Sequence, residues 1–428
     1  MNEVSDHLFR RESGRLVATL TRIFGVHNLA LAEDVAQDAF CRALEVWKLR
    51  GVPENPSAWL MTTAKNRALD VLRRERTART FAPELGRLLQ SEWTLAPTLE
   101  EQLSPPAIRD DELRMMFSCC QPRLPETAQV ALILHLLCGF SIGEVAAAFL
   151  SSEAAMEKRL WRAKKALAGS QTLFDLNGDQ IPGRRKVVQR ALYLLFNEGY
   201  HGACAESAVR VELCQEAIRL ARLLLAHPLT ATPTSYALAA LMYLHAARLP
   251  ARLNAAGELN ALCDQDRSLW DTALLAEGQH LLDLSATGID LSEYHIEAGI
   301  AALHGAASGI PDTDWTAIVF LYDLLLQRRP SPVVALSRAI ALAQRDGPEA
   351  GITAIQEIPD VDRLARYPFY FAALGELELQ RARPETARPH FTQALALARS
   401  PTERRFLERR LEATAPRLTP QRPCASPV

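Results

Sequence analysis

Strand signals are almost missing from this sequence. Ala and Leu dominate, and they recur at helical spacing from end to end. That excludes sheet architectures and predicts an all-α fold. No run of about 18 apolar residues occurs, so no transmembrane helix and no membrane partner is expected. The first residues, MNEVSDHLFRRESGR, lack the apolar core of a signal peptide. The eight cysteines are scattered and show neither CxxC nor zinc-ligand spacing. They predict a reduced, cytoplasmic chain with no metal and no cofactor. The neighbours Cys119 and Cys120 read either as two small buried apolar residues or as a redox pair. Net charge is also missing: the formal value is −2 over 428 residues. A protein coated in nucleic acid is therefore not expected, and any DNA contact must come from local patches. The length suggests about two to four domains.

What the sequence does have is a stretch from Phe140 to Leu167 that reads as two helices and a tight turn. Ile142, Val145, Ala146 and Phe149 share one face of the first helix, and Ser141 is placed to cap it. The break is Leu150, Ser151 and Ser152. Ser152 can cap a second helix whose inner face carries Met156, Leu160 and Ala163. Its outer face carries Lys158, Arg159, Arg162, Lys164 and Lys165. Such a helix-turn-helix lays its second helix in the DNA major groove, whereas a basic helical hairpin with a solvated face is the bland alternative.

Three amphipathic helices are predicted earlier, over residues 5–27, 30–48 and 58–76. The second buries Leu31, Val35, Ala39, Leu44 and Trp47 and turns Glu33, Asp34, Gln37, Asp38 and Arg42 outward. The third carries Trp59 and then Lys65, Asn66, Arg67, Asp70, Arg73, Arg74 and Arg76. Several of these recur three or four residues apart and so share a face. A basic stripe beside an exposed aromatic suits single-stranded or melted DNA, because bases stack on the ring while cations follow the phosphates. The competing reading makes Trp59 a core residue and the arginines solvated.

Taken together, AEDVAQDAFCRAL, AWLMTTAKNRALDVLRRER and the stretch from Leu124 to Leu167 resemble a bacterial sigma factor of the sigma-70 family, in particular the extracytoplasmic-function group that keeps only regions 2 and 4. The resemblance implies a protein that is not an enzyme, with core RNA polymerase and promoter DNA as partners. It implies that Asp34, Gln37 and Asp38 dock on the polymerase. Trp59, Lys65, Asn66, Arg67, Asp70, Arg73 and Arg74 would melt and read the −10 element. Ser152, Ala155, Lys158, Arg159, Arg162, Lys164 and Lys165 would read the −35 element. Leu150 in the turn, with Glu153 and Glu157 near the DNA, departs from the family pattern, so the −35 sequence does not transfer from relatives.

The chain then continues for more than its own first half with further helical stretches. Leu374, Gly375, Ala387, Phe391 and Ala394 match tetratricopeptide positions, although Glu378 stands where that repeat has tyrosine. The whole resembles a sigma subgroup with a long tetratricopeptide-like extension, which implies regulation in cis and a signal-transmitting protein as a further partner. Asp264, Asp266 and Arg267 read as helix caps and interdomain salt bridges rather than as a metal or catalytic site. The expected organisation is region 2 over 1–79, a linker over 80–110, region 4 over 111–175, a helical domain over 185–330, tetratricopeptide-like repeats over 331–415 and a disordered tail over 416–428. Two other functions fit parts of the pattern: a stand-alone helix-turn-helix regulator and a tetratricopeptide-type scaffold.

Overall fold

A computed structural model describes residues 2–74, 105–149, 151–169, 181–201, 209–254, 258–398 and 401–415. Leu150, Arg76, the tail over 416–428 and most of the expected linker lie outside the described residues, as do the side chains of Arg73 and Arg74. The described residues form helices, and their one β-feature is an isolated bridge between Leu253 and Leu259. None of these helices is long and apolar enough to cross a membrane.

Two compact units divide the chain. The first holds residues 1–201 and 210–242, and the second holds 202–209 and 243–428. In the first unit α1 runs Asn2–Phe24, α2 Leu29–Arg50 and α3 Pro56–Arg74. Next come α4 (Pro105–Cys119), α5 (Glu126–Leu136), α6 (Ile142–Ala148) and α7 (Glu153–Ala168). The helices α8 (Ile181–His201) and α9 (Val211–Ala226) follow, and α10 (Pro233–Ala246) contains the division between units. The units thus do not divide near residue 185: α8 and α9 pack with the helices before them, α8 on α4 and α5, and α9 on α4.

The apolar stripes explain the packing. In α2 the buried line is Val35, Ala39, Ala43 and Trp47, each four residues after the last. Leu44 was expected in that line but is 54% exposed, because Ala43 already occupies the inner position. In α5 nearly every residue from Ala128 to Leu136 is buried, so this helix is the centre of the unit. Cys119, Cys120 and Cys138 are buried, and burial pushes all three thiols up, that of Cys120 to about 12. They are therefore protonated and unreactive at neutral pH.

The second unit contains α11 (Leu249–Arg252), α12 (Thr272–Ser285), α13 (Glu293–Ala306), α14 (Trp315–Arg328), α15 (Pro332–Asp346), α16 (Pro348–Gln356), α17 (Pro368–Gln380), α18 (Pro384–Ala396) and α19 (Pro401–Glu412). Consecutive helices pair as hairpins. Ile296, Ile300, Ile318 and Leu325 make one core, and Leu336, Ile355, Leu364 and Leu377 make another. In the α17–α18 pair the Phe391 ring packs directly on Gly375, with Ala387 and Ala394 buried beside it. Asp266 caps a short 3-10 turn and Asp271 caps α12. Arg267 donates to the carbonyls of His304 and Ala307, so it ties loops together within its own unit.

Candidate nucleic-acid interface

The pair α6 and α7 is held at both starts by serine caps. The Ser141 hydroxyl accepts from the Glu144 N–H at 3.2 Å while the Glu144 carboxylate accepts from the Ser141 N–H at 2.8 Å, a complete capping box. Ser152 accepts from the Ala155 N–H at 3.4 Å and starts α7. Met156, Leu160, Ala163 and Leu167 are buried against α5 and α6, which fixes which way the helix faces. The opposite face is exposed at Ser152, Ala155, Lys158, Arg162 and Lys165, with Arg159 half-buried. Trp161 was not singled out from the sequence. It is 63% exposed on this basic face, and the Lys165 ammonium lies 5.2 Å from its ring centre. Its position one residue after buried Leu160 was the available signal.

Lys164 stands apart from the other lysines of α7. Its ammonium pairs with Glu33 of α2 at 2.6 Å. Burial lowers the affinity of nearby His135 for its proton, and the Lys164 charge lowers it further.

On α2 the expected docking residues Asp34, Gln37 and Asp38 are all exposed, and the same outward surface carries Cys41, Leu44, Glu45 and Lys48. Leu49, close by, is 86% exposed. On α3 Asn66 and Asp70 are exposed, and Lys65 and Arg67 are half-buried. Arg67 reaches Asp38 at 2.7 Å, which joins the acidic edge of α2 to the basic edge of α3. Trp59 is half-buried, with its ring edge-on to Trp47 at 5.5 Å in a cluster with Phe9 and Phe40. Both readings of Trp59 thus share its surface.

The family Sigma-70 region 2 matches residues 8–78, and the family Sigma-70, region 4 matches residues 114–167. The chain belongs to the sigma-70 family of sigma factors. In this sigma factor α1 to α3 are region 2 and α4 to α7 are region 4. Residues 184–286 match a family of unknown function, DUF6596. The sigma factor is 38% identical over 400 residues to an uncharacterized protein of Rhizobium meliloti (strain 1021), across 93% of each chain. No solved structure matches. As a sigma factor the chain binds RNA polymerase and promoter DNA.

A network of buried and half-buried charge runs through this unit of the sigma factor. Glu112 of α4 receives two bonds from Arg219 of α9, at 2.7 and 3.0 Å, and lies 3.9 Å from Arg15 of α1. Arg219 also bonds Glu216, and Arg15 bonds Glu12. Glu144 of α6 is shared in the same way, by Arg10 of α1 at 3.1 Å and by Arg210 at 2.8 Å. Burial pushes the Glu144 carboxyl up, but the Ser141 N–H and the two guanidiniums outweigh it and hold it below the usual range. Burial raises Glu216 despite Arg219.

Proposed function

We propose that this sigma factor is of the extracytoplasmic-function kind and selects promoters by their −10 and −35 elements, with a tetratricopeptide-like extension that controls it in cis. Asp34, Gln37 and Asp38 meet core polymerase, together with the apolar surface of Leu44 and Leu49. Lys65, Asn66, Arg67, Asp70, Arg73 and Arg74 hold the melted −10 strand, and Trp59 offers bases the part of its ring left outside the Trp47 contact. Ser152, Ala155, Lys158, Arg159, Arg162 and Lys165 face the −35 duplex, and Lys164 joins them only by giving up its pairing with Glu33. The protein lends promoter choice and catalyses nothing itself. Control in cis is supported by the packing of α8 and α9 on region 4, and a signal-transmitting protein would act through the helical hairpins of the second unit.

The observation that carries this reading is the exposed cationic face of α7, oriented by a buried stripe and two serine caps, on a chain that also keeps an exposed acidic face on α2. A polymerase-independent regulator has no use for the second of these. The test is run-off transcription with core RNA polymerase on a genomic template library. Wild-type protein should give discrete promoter-dependent transcripts. The double variant D34N/D38N should lose co-elution with core polymerase and the transcripts together. Transcripts that never depend on the added protein would refute the reading. Regulation of an existing promoter that survives D34N/D38N would make the chain a stand-alone regulator.

A further inference from the structure

The stretch that matches a family of unknown function begins within α8 and runs through α9, so it contains Arg210. The chain leaves the first unit after His201 and re-enters it at Arg210. The backbone of this residue is held from two sides. Its N–H donates to the Gly199 carbonyl of α8 at 2.7 Å, and its own carbonyl accepts from the Leu213 N–H of α9 at 3.0 Å. Its side chain is held as well. Nε donates to Glu212 at 3.2 Å, and Nη2 donates to Glu144 Oε1 at 2.8 Å.

Glu144 already has a task within α6. Its Oε2 accepts from the Ser141 N–H and so completes the capping box that starts this helix. One carboxylate therefore both begins α6 and receives an arginine from the extension. The first turns of α6 and α7 lie close together: a Cβ on Gly143 would sit 3.5 Å from the Glu153 carboxylate. The Ser151 N–H, just ahead of α7, donates to the Ala146 carbonyl of α6 at 2.9 Å. A tilt of α6 is thus passed to the start of α7, where Ser152, Ala155 and Lys158 are exposed. Sequence is read by bonds to base edges, and these weaken steeply when misaligned, whereas phosphate contacts carry no sequence.

Arg10 of α1 also donates to both Glu144 oxygens, at 3.1 and 3.2 Å. Arg210 makes the shorter bond, and its side chain is the less exposed, at 11% against 19%. Resting on the function proposed above, we infer that Arg210 is a positioning residue for −35 recognition: through Glu144 the extension sets the angle at which α6 presents α7 to the duplex. The stretch of unknown function then has a definite part in promoter choice, which is to hold the reading pair.

The test uses the full chain, core RNA polymerase and a promoter recovered from the run-off library. The promoter is supplied with its −35 element intact or scrambled, and wild-type protein should favour the intact form. R210Q should lower transcript from the intact form several-fold, leave the scrambled form unchanged and still co-elute with core polymerase. E144Q keeps a side-chain oxygen for the capping box but loses the charge that draws the guanidiniums, so it should lower the preference at least as far. R210Q/E144Q should be no worse than E144Q alone, because the bond between the two residues is already gone. R210K keeps the charge without the fork and should recover part of the preference. R10Q should cost less than R210Q. Hydrogen exchange of the chain alone gives a readout free of polymerase: R210Q should speed exchange of the α6 amides while those of α5 stay slow. A wild-type preference in R210Q would overturn the inference, as would an equal fall on both promoter forms together with lost polymerase retention. So would a double variant several-fold worse than E144Q, or α6 exchange at the wild-type rate in R210Q. A wild-type chain that drives no promoter-dependent transcript, while R210Q still speeds exchange in α6, would instead refute the function proposed above and leave the hold on α6 standing.

Discussion

Lys158, Arg162 and Lys165 carry full charges on the exposed side of α7, and their part in DNA binding is countable. Taking one cation away from a phosphate lowers the slope of log affinity against log salt by about one. R162A and K165A should each show that change on a random-sequence duplex, measured by fluorescence anisotropy between low and moderate salt; an unchanged slope in both would remove α7 from the DNA. Asp111 makes a different prediction. It lies on α4, buried where that helix meets α1, its Oδ2 has no hydrogen-bond partner among the described residues, and burial raises its pKa to about 7 in spite of Arg22 and Arg114. The native state then binds a proton that the unfolded chain releases near pH ~4, so stability falls as pH rises from about 4 to about 7. D111N cannot ionise, so its melting temperature relative to wild type should climb between pH 5 and pH 8. A difference that stays flat across that range would mean that Asp111 is ionised throughout.

At the level of elements, helix existence and the paired helices of region 4 were legible because a 3.6-residue period with serine caps is local information. So was the outward acidic face of α2. Leu44 was misplaced because hydrophobicity alone ranks it above Ala43, although the four-residue spacing through Val35 and Ala39 selects Ala43. The union of α8 and α9 with region 4 was not legible. It depends on Arg219 meeting Glu112 at a separation of 107 positions and Arg210 meeting Glu144 at 66, which no periodicity encodes. The α8–α9 crossing itself rests on Gly199, where a Cβ would lie 2.8 Å from the Arg210 carbonyl oxygen and from the Cys214 nitrogen and sulfur. G199A should therefore lower stability by about 1–3 kcal/mol through overpacking. G183A, in the first turn of the same helix with nothing within 4 Å, should be neutral or stabilising by up to ~1 kcal/mol. Chemical denaturation of the two variants separates these outcomes, and equal stabilities would mean that the crossing is looser than the geometry indicates.

For the molecule as a whole, the consequence is that the sigma module does not end where region 4 ends. A chain ended after residue 176 keeps both sigma regions yet loses α8 and α9. It would strip away Val188, Leu192, Leu195 and Phe196 from α8 and Leu213, Leu220 and Leu224 from α9, all buried in the full protein. Burying such a side chain is worth about 1.5–3 kcal/mol, and part of that stabilisation belongs to the surfaces of α4 and α5 that they cover. The same cut leaves Glu112 without Arg219, and breaking a buried pair from one side costs about 3–5 kcal/mol. Against a typical total of about 5–15 kcal/mol, these losses are enough to unfold the remainder. A chain ended after residue 246 keeps α8, α9 and all of α10. It should melt cooperatively and leave hydrophobic dyes unbound, whereas the chain ended at 176 should bind them and show no sharp transition. A cooperative melt of the shorter chain near the temperature of the longer one would mean that α8 and α9 are accessories to region 4, and that the buried charges at Glu112 contribute far less than their burial implies.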